Sequence, residues 1–92
     1  MKLKPKTKIK RSKQVIFKEV EGIVYILDPR NSTIHTLNET ASFIWRHLKT
    51  PCSIKELTTL MTENFDVEEK KTTVDIEDFI SQYLKEELVV LD

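Results

Sequence analysis

A chain of 92 residues has room for one small domain with a limited core. With 39% hydrophobic and 33% charged residues, it reads as a domain with well-solvated faces. No apolar run approaches the roughly 20 residues that span a bilayer, and Val15-Ile16-Phe17 is too short for the apolar stretch of a signal peptide. No membrane association and no export are therefore expected. The single cysteine, Cys52, excludes an internal disulfide and fits a reducing cytoplasm.

The formal net charge of zero conceals an asymmetry. Residues 1–18 carry eight Lys or Arg and no acid, whereas residues 53–92 carry eleven acids and four lysines. Residues 1–13 alternate Lys with small or polar residues around Pro5 and are expected to form a basic, disordered arm. The domain proper is expected over residues 14–92. A basic arm can also meet nucleic acid or an acidic partner.

Gln14–Lys18 is the first strand expected, followed by a turn at Glu21-Gly22, where the only glycine suits positive φ. Ile23–Leu27 is a β-rich run. Asp28-Pro29-Arg30-Asn31-Ser32 is turn chemistry, with Asn31 the residue that tolerates positive φ. Thr33–Leu37 is the third strand, with Thr33, His35 and Leu37 on one side and Ile34 and Thr36 on the other. Asn38 is placed as an N-cap, and Ala41, Ile44, Trp45 and Leu48 follow helical spacing toward the core. Thr50-Pro51 ends that helix.

Ser53-Ile54-Lys55-Glu56 is a capping box that opens a second helix with Leu57, Leu60 and Met61 as its stripe. Asp66-Val67-Glu68-Glu69 repeats the pattern before a third helix. The stripe there is Ile76, Phe79, Ile80, Tyr83 and Leu84, and the weak helix formers Thr72 and Thr73 suggest a start near Thr73. Leu88–Leu91 is an apolar tail docked on the body. The order is three strands and then three helices: an α+β fold resembling a winged helix-turn-helix, with a three-stranded antiparallel sheet.

No Ser/His/Asp order, phosphate loop or metal-ligand spacing is present, and no carboxylate pair stands out among fifteen acids. Cys52 has no Cys or His partner nearby. His47 near a helix C-terminus is accounted for by the dipole, and Trp45 by the core. The chain is expected to be no enzyme and to need no cofactor.

Val24-Tyr25-Ile26-Leu27-Asp28, a turn, His35-Thr36-Leu37-Asn38-Glu39-Thr40-Ala41 and then Ile44-Trp45 resemble the PqqD-like family. Ser53–Leu57, Phe65-Asp66-Val67, Val74-Asp75-Ile76, Phe79-Ile80, Leu84 and Leu88-Val89 continue the likeness, which spans residues 15–91. Two departures stand out: Glu87 replaces a glycine common before the final apolar pair, and Asn31-Ser32 replaces a glycine common in the hairpin.

The resemblance implies a cytoplasmic, non-catalytic peptide-recognition element for ribosomally made, modified peptides. It implies that a precursor's leader segment adds as an antiparallel strand to the third strand, packs on the third helix and is presented to a tailoring enzyme. That enzyme is either the leader-cutting cysteine protease and cyclase of lasso peptide synthesis, toward which the reading leans, or a radical S-adenosylmethionine maturase. A monomer is expected.

The residue chemistry agrees. Thr33, Ile34, His35, Thr36 and Leu37 form an edge free of Lys and Pro, which leaves it open to strand addition. Asp75, Ile76, Phe79, Gln82, Tyr83 and Glu86 supply the helical wall. Ile80 and Leu84 are assigned to the core. The alternative is a DNA-binding winged-helix regulator. It meets the difficulty that residues 68–87 carry seven acids against three lysines, where phosphate contacts need positive charge.

Overall fold

The computed structural model describes Lys4 and residues 6–92. Its elements run β1 (Lys8–Arg11), β2 (Ile16–Val20), β3 (Ile23–Asp28), β4 (Thr33–Thr36), α1 (Glu39–His47), β5 (Cys52–Ser53), α2 (Ile54–Asn64), α3 (Glu69–Lys85) and β6 (Val89–Leu91). The expected α+β fold is present: an antiparallel β2-β3-β4 sheet and three helices. A second sheet joins distant parts of the chain in the order β5-β1-β6.

That second sheet corrects the reading of residues 1–13 as a disordered arm. Residues 1–3 and 5 lie outside the described residues, but Lys8–Arg11 is a strand. It pairs antiparallel with Cys52-Ser53 on one side and Val89–Leu91 on the other. Period-two alternation explains it: Ile9 turns inward and is fully buried, while Lys8 and Lys10 face out and pair with Glu56 and Asp92. Arg11 is also structural. Its guanidinium donates to the Trp45 carbonyl at 2.6 and 2.9 Å and to the Arg46 carbonyl at 3.1 Å, closing the C-terminus of α1. It also lies 4.5 Å over the Phe17 ring.

In the main sheet the expected strand forms as β3, but its apolar run divides between two faces, with Val24, Ile26 and Asp28 buried and Tyr25 and Leu27 exposed. Glu21 and Gly22 both take positive φ at the β2–β3 turn. At the β3–β4 turn positive φ falls on Ser32 rather than Asn31. Asn31 instead accepts a hydrogen bond from the Thr33 hydroxyl at 2.6 Å.

α1 begins as its sequence dictates, the Asn38 side chain accepting from the Ala41 N–H at 2.8 Å. The fully buried Ser42 hydroxyl fastens α1 to the sheet, accepting from the Val24 N–H at 2.9 Å. α2 carries the complete Ser53–Glu56 capping box. The box expected from Asp66 does not form; Glu68 is the N-cap of α3 and makes no side-chain cap bond. A tight bend explains this: the Val67 N–H bonds the Phe65 carbonyl at 3.0 Å, and Phe65 packs edge-on against Phe43. α3 starts at Glu69 rather than near Thr73; Thr72 is buried within it, and the Thr73 hydroxyl bonds back to the Glu69 carbonyl.

α3 ends in a Schellman motif. The Leu88 N–H reaches the Tyr83 carbonyl at 2.9 Å and the Glu87 N–H reaches the Leu84 carbonyl at 3.1 Å. Glu87 sits at φ +58°, where glycine is the usual residue.

Candidate functional site

The β2-β3-β4 sheet has two outer strands, and they differ. On β2, Glu19 pairs with Arg46 at 3.1 Å, Lys18 is exposed, and Phe17 packs on Trp45 and under Arg11. Charge and covering groups of this kind discourage edge pairing. On β4, the sequence Thr-Ile-His-Thr has neither lysine nor proline. Among the described residues β4 pairs only with β3. The Leu37 N–H bonds the Val24 carbonyl. By the alternation of an antiparallel ladder, His35 points its backbone groups at β3, and Ile34 and Thr36 point theirs at the open edge.

The inner side of this edge faces α3. His35 Nδ1 lies 3.8 Å from Glu86 Oε2, and its ring centroid lies 6.4 Å from that of Tyr83. Tyr83 stacks on Phe79 at 4.2 Å, and Gln82 Nε2 donates to Glu86 Oε1 at 2.9 Å. Phe79 also lines an open cleft of about 390 Å³, which it shares with Asp75, Ile76, Ala41, Met61 and Val67. From Asp75 to Glu86 the wall runs about 16 Å at 1.5 Å per residue. That matches about five residues of extended strand. Burial and the charge of Glu86 push the Tyr83 phenol up to about 12, so it stays neutral and available as a donor at neutral pH.

Not every expected residue lies in this groove. Leu37 is 3% exposed, so its side chain belongs to the core and only its backbone lies near the edge. Ile34, 69% exposed, points to the outer face of the sheet, away from α3, beside its cross-strand partner Leu27. Thr36 is exposed on that same outer side. Ile76 is almost wholly buried and forms the floor of the cleft. Thr33 lies at the hairpin end, bonded to Asn31.

Sequence reasoning missed Asn38, Thr40, Ala41, Met61 and Val67 as lining of the cleft. It also missed Arg30, which binds Asp28 and reaches Glu87. The signal for Arg30 was an acid and a base two residues apart in one turn.

Among the described residues no group of three or more His, Cys, Asp or Glu is placed to hold a metal ion. The Cys52 thiol is buried, donates to the His47 carbonyl at 3.2 Å, and is pushed up chiefly by burial, so it is a poor nucleophile. No helix among the described residues is long and apolar enough to cross a membrane.

Together the fold and the site define a small α+β domain in which the open edge of β4 faces a helix lined with aromatic and acidic side chains. The family model for coenzyme PQQ synthesis protein D (PqqD) matches residues 24–89, and the chain belongs to this family. No curated protein matches it. Two solved structures share its fold. The structure of TbiB1 in complex with the TbiA(beta) leader peptide superposes with a TM-score of 0.81 at 22% identity, covering 87% of this chain and 93% of that one. Lasso peptide synthetase B1 complexed with the leader peptide gives 0.77 at 18% identity, covering 89% and 96%.

Proposed function

We propose that this chain is a non-catalytic recognition domain for the leader segment of a ribosomally made precursor peptide. The leader adds as a strand to the free edge of β4, with the outward backbone groups of Ile34 and Thr36 as its hydrogen-bond partners. Its inward side chains rest on His35, Tyr83 and Phe79, and one apolar side chain enters the cleft lined by Phe79, Ala41 and Met61. Asp75 at one end of the wall and Glu86 at the other favour basic or amide groups of the leader.

The observation that carries this reading is the open edge of β4 facing α3. Both structural relatives are described as leader-peptide complexes, which supports it. The domain then hands the precursor to a tailoring enzyme, for which we favour the leader protease and cyclase of a lasso peptide system over a radical S-adenosylmethionine maturase. It works in the cytoplasm, as a monomer. The acidic α3 argues against the DNA-binding alternative, because duplex phosphates would meet like charge.

Titration calorimetry with the leader of the precursor encoded alongside this chain tests the reading. Binding at micromolar affinity or tighter is expected, weakened about tenfold by Phe79→Ala through loss of one apolar contact. Absence of leader binding, or duplex DNA binding at physiological salt, would overturn it.

A further inference from the structure

We propose that Arg30 is the positioning residue of the leader groove, holding the β3–β4 hairpin against the C-terminal end of α3 so that the two walls keep a fixed separation. This rests on the reading that a leader strand occupies the groove. One guanidinium reaches both walls. On the hairpin side, Arg30 Nε lies 2.8 Å from Asp28 Oδ1 and Nη2 lies 3.0 Å from Oδ2. This is the planar two-point grip that arginine makes and lysine cannot. On the helix side, Nη2 donates to the Glu87 carbonyl at 2.8 Å and Nη1 approaches Glu87 Oε2 at 3.4 Å. Nη1 also donates to Gln14 Oε1 at 3.0 Å, bringing in the segment that leads to β2.

The two ends of this clamp adjoin the groove. Asp28 is the last residue of β3 and the cross-strand partner of Thr33, where β4 begins. Glu87 follows Glu86 directly and closes the turn whose hydrogen bonds reach back to Tyr83 and Leu84. Thus Arg30 ties the start of the guest-accepting strand to the turn that sets Tyr83 and Glu86. The His35–Glu86 contact also crosses the gap, but it is long at 3.8 Å.

The clamp also accounts for Glu87. A non-glycine residue at φ +58° is strained. Here its backbone carbonyl and its carboxylate are both held by Arg30. The glutamate therefore does in this chain what glycine does by conformational freedom alone, and it ties the turn to the hairpin as well.

Two variants test this without stranding a buried charge. Arg30→Lys keeps a cation beside Asp28 but cannot bridge to Glu87. The double variant Asp28→Ala with Arg30→Ala removes both charges. In each, leader affinity is expected to fall about tenfold through lost preorganisation. In the free protein, amide hydrogen exchange is expected to accelerate across Thr33–Thr36 and Glu86–Leu88 and to stay unchanged in α2.

Wild-type leader affinity in both folded variants would overturn the proposal. So would exchange that accelerates equally throughout the domain, which would mark Arg30 as a general stabiliser. If the wild-type protein binds no leader, the leader reading fails, and the exchange pattern of the free variants still decides whether Arg30 holds the two walls together.

Discussion

Asp28 is 2% exposed, and a carboxylate so placed keeps its charge only if something holds it. Arg30 does so, and hydrogen bonding from its side chain is the main cause that moves the Asp28 carboxyl below its ordinary value of 3.8. The consequence for stability has a definite sign. A carboxyl whose pKa is lower folded than unfolded stabilises the native state above the unfolded value, and that stabilisation disappears as pH falls through the folded value. Glu56, held by Lys8 and by the Ser53 N–H, is moved in the same direction and adds to the same acid limb. Asp28→Asn is therefore expected to melt below the wild type at neutral pH, and the two melting temperatures should converge over the acid range below the ordinary carboxyl value of 3.8. Parallel curves across that range would mean that the Asp28 charge contributes nothing. In the sequence Asp28 was legible only as a turn former. Its partner stands two residues away in plain view, but that Asp28 points inward follows only once the register of β3 is known.

At the scale of elements, the strands of the main sheet and the first two helices were legible because local chemistry and tertiary demand agree. Asn38 and Ser53 cap where their side chains can reach, and the β-rich run Ile23–Leu27 forms the central strand β3. Legibility failed where a distant contact decides. The start of α3 is set by the bend at Phe65–Val67 rather than by Asp66, and Leu37 is buried in the core, on the inward side it shares with His35. The side of each β4 residue was readable, but which side faces α3 was not, so Ile34 and His35 looked equivalent. That distinction makes the edge testable. Thr36 directs its N–H outward, so Thr36→Pro removes a bond offered to a guest strand while sparing those made to β3. One such bond contributes about 1 kcal/mol. Leader affinity is thus expected to fall five- to tenfold, on the order set by that energy. Thermal unfolding in the absence of leader should barely move. Unchanged affinity in calorimetry would place the guest strand elsewhere.

For the whole molecule, the decisive feature is the small sheet in which β1 lies between β5 and β6. Its three strands come from the beginning, middle and end of the chain, and each is too short to announce itself. Lys8–Arg11 offers one inward apolar residue among basic ones, so composition alone reads it as a solvated tail. Yet Ile9 is fully buried in the main core cluster, and Arg11 closes α1 over Trp45. The domain is thus tied shut by a segment that looks dispensable. Ile9→Ala is expected to destabilise the fold by about 2–4 kcal/mol, the cost of deleting a buried aliphatic side chain together with the cavity it leaves. For a domain this small that is a large share of the total, since native stability is typically about 5–15 kcal/mol. Urea unfolding followed by tryptophan fluorescence reads it directly, because Trp45 lies under Arg11 and reports on the same region. A disordered arm would give no change in midpoint for Ile9→Ala. A strand within the core requires the midpoint to fall, and requires Lys10→Ala, on the outward face of the same strand, to leave it nearly where it was.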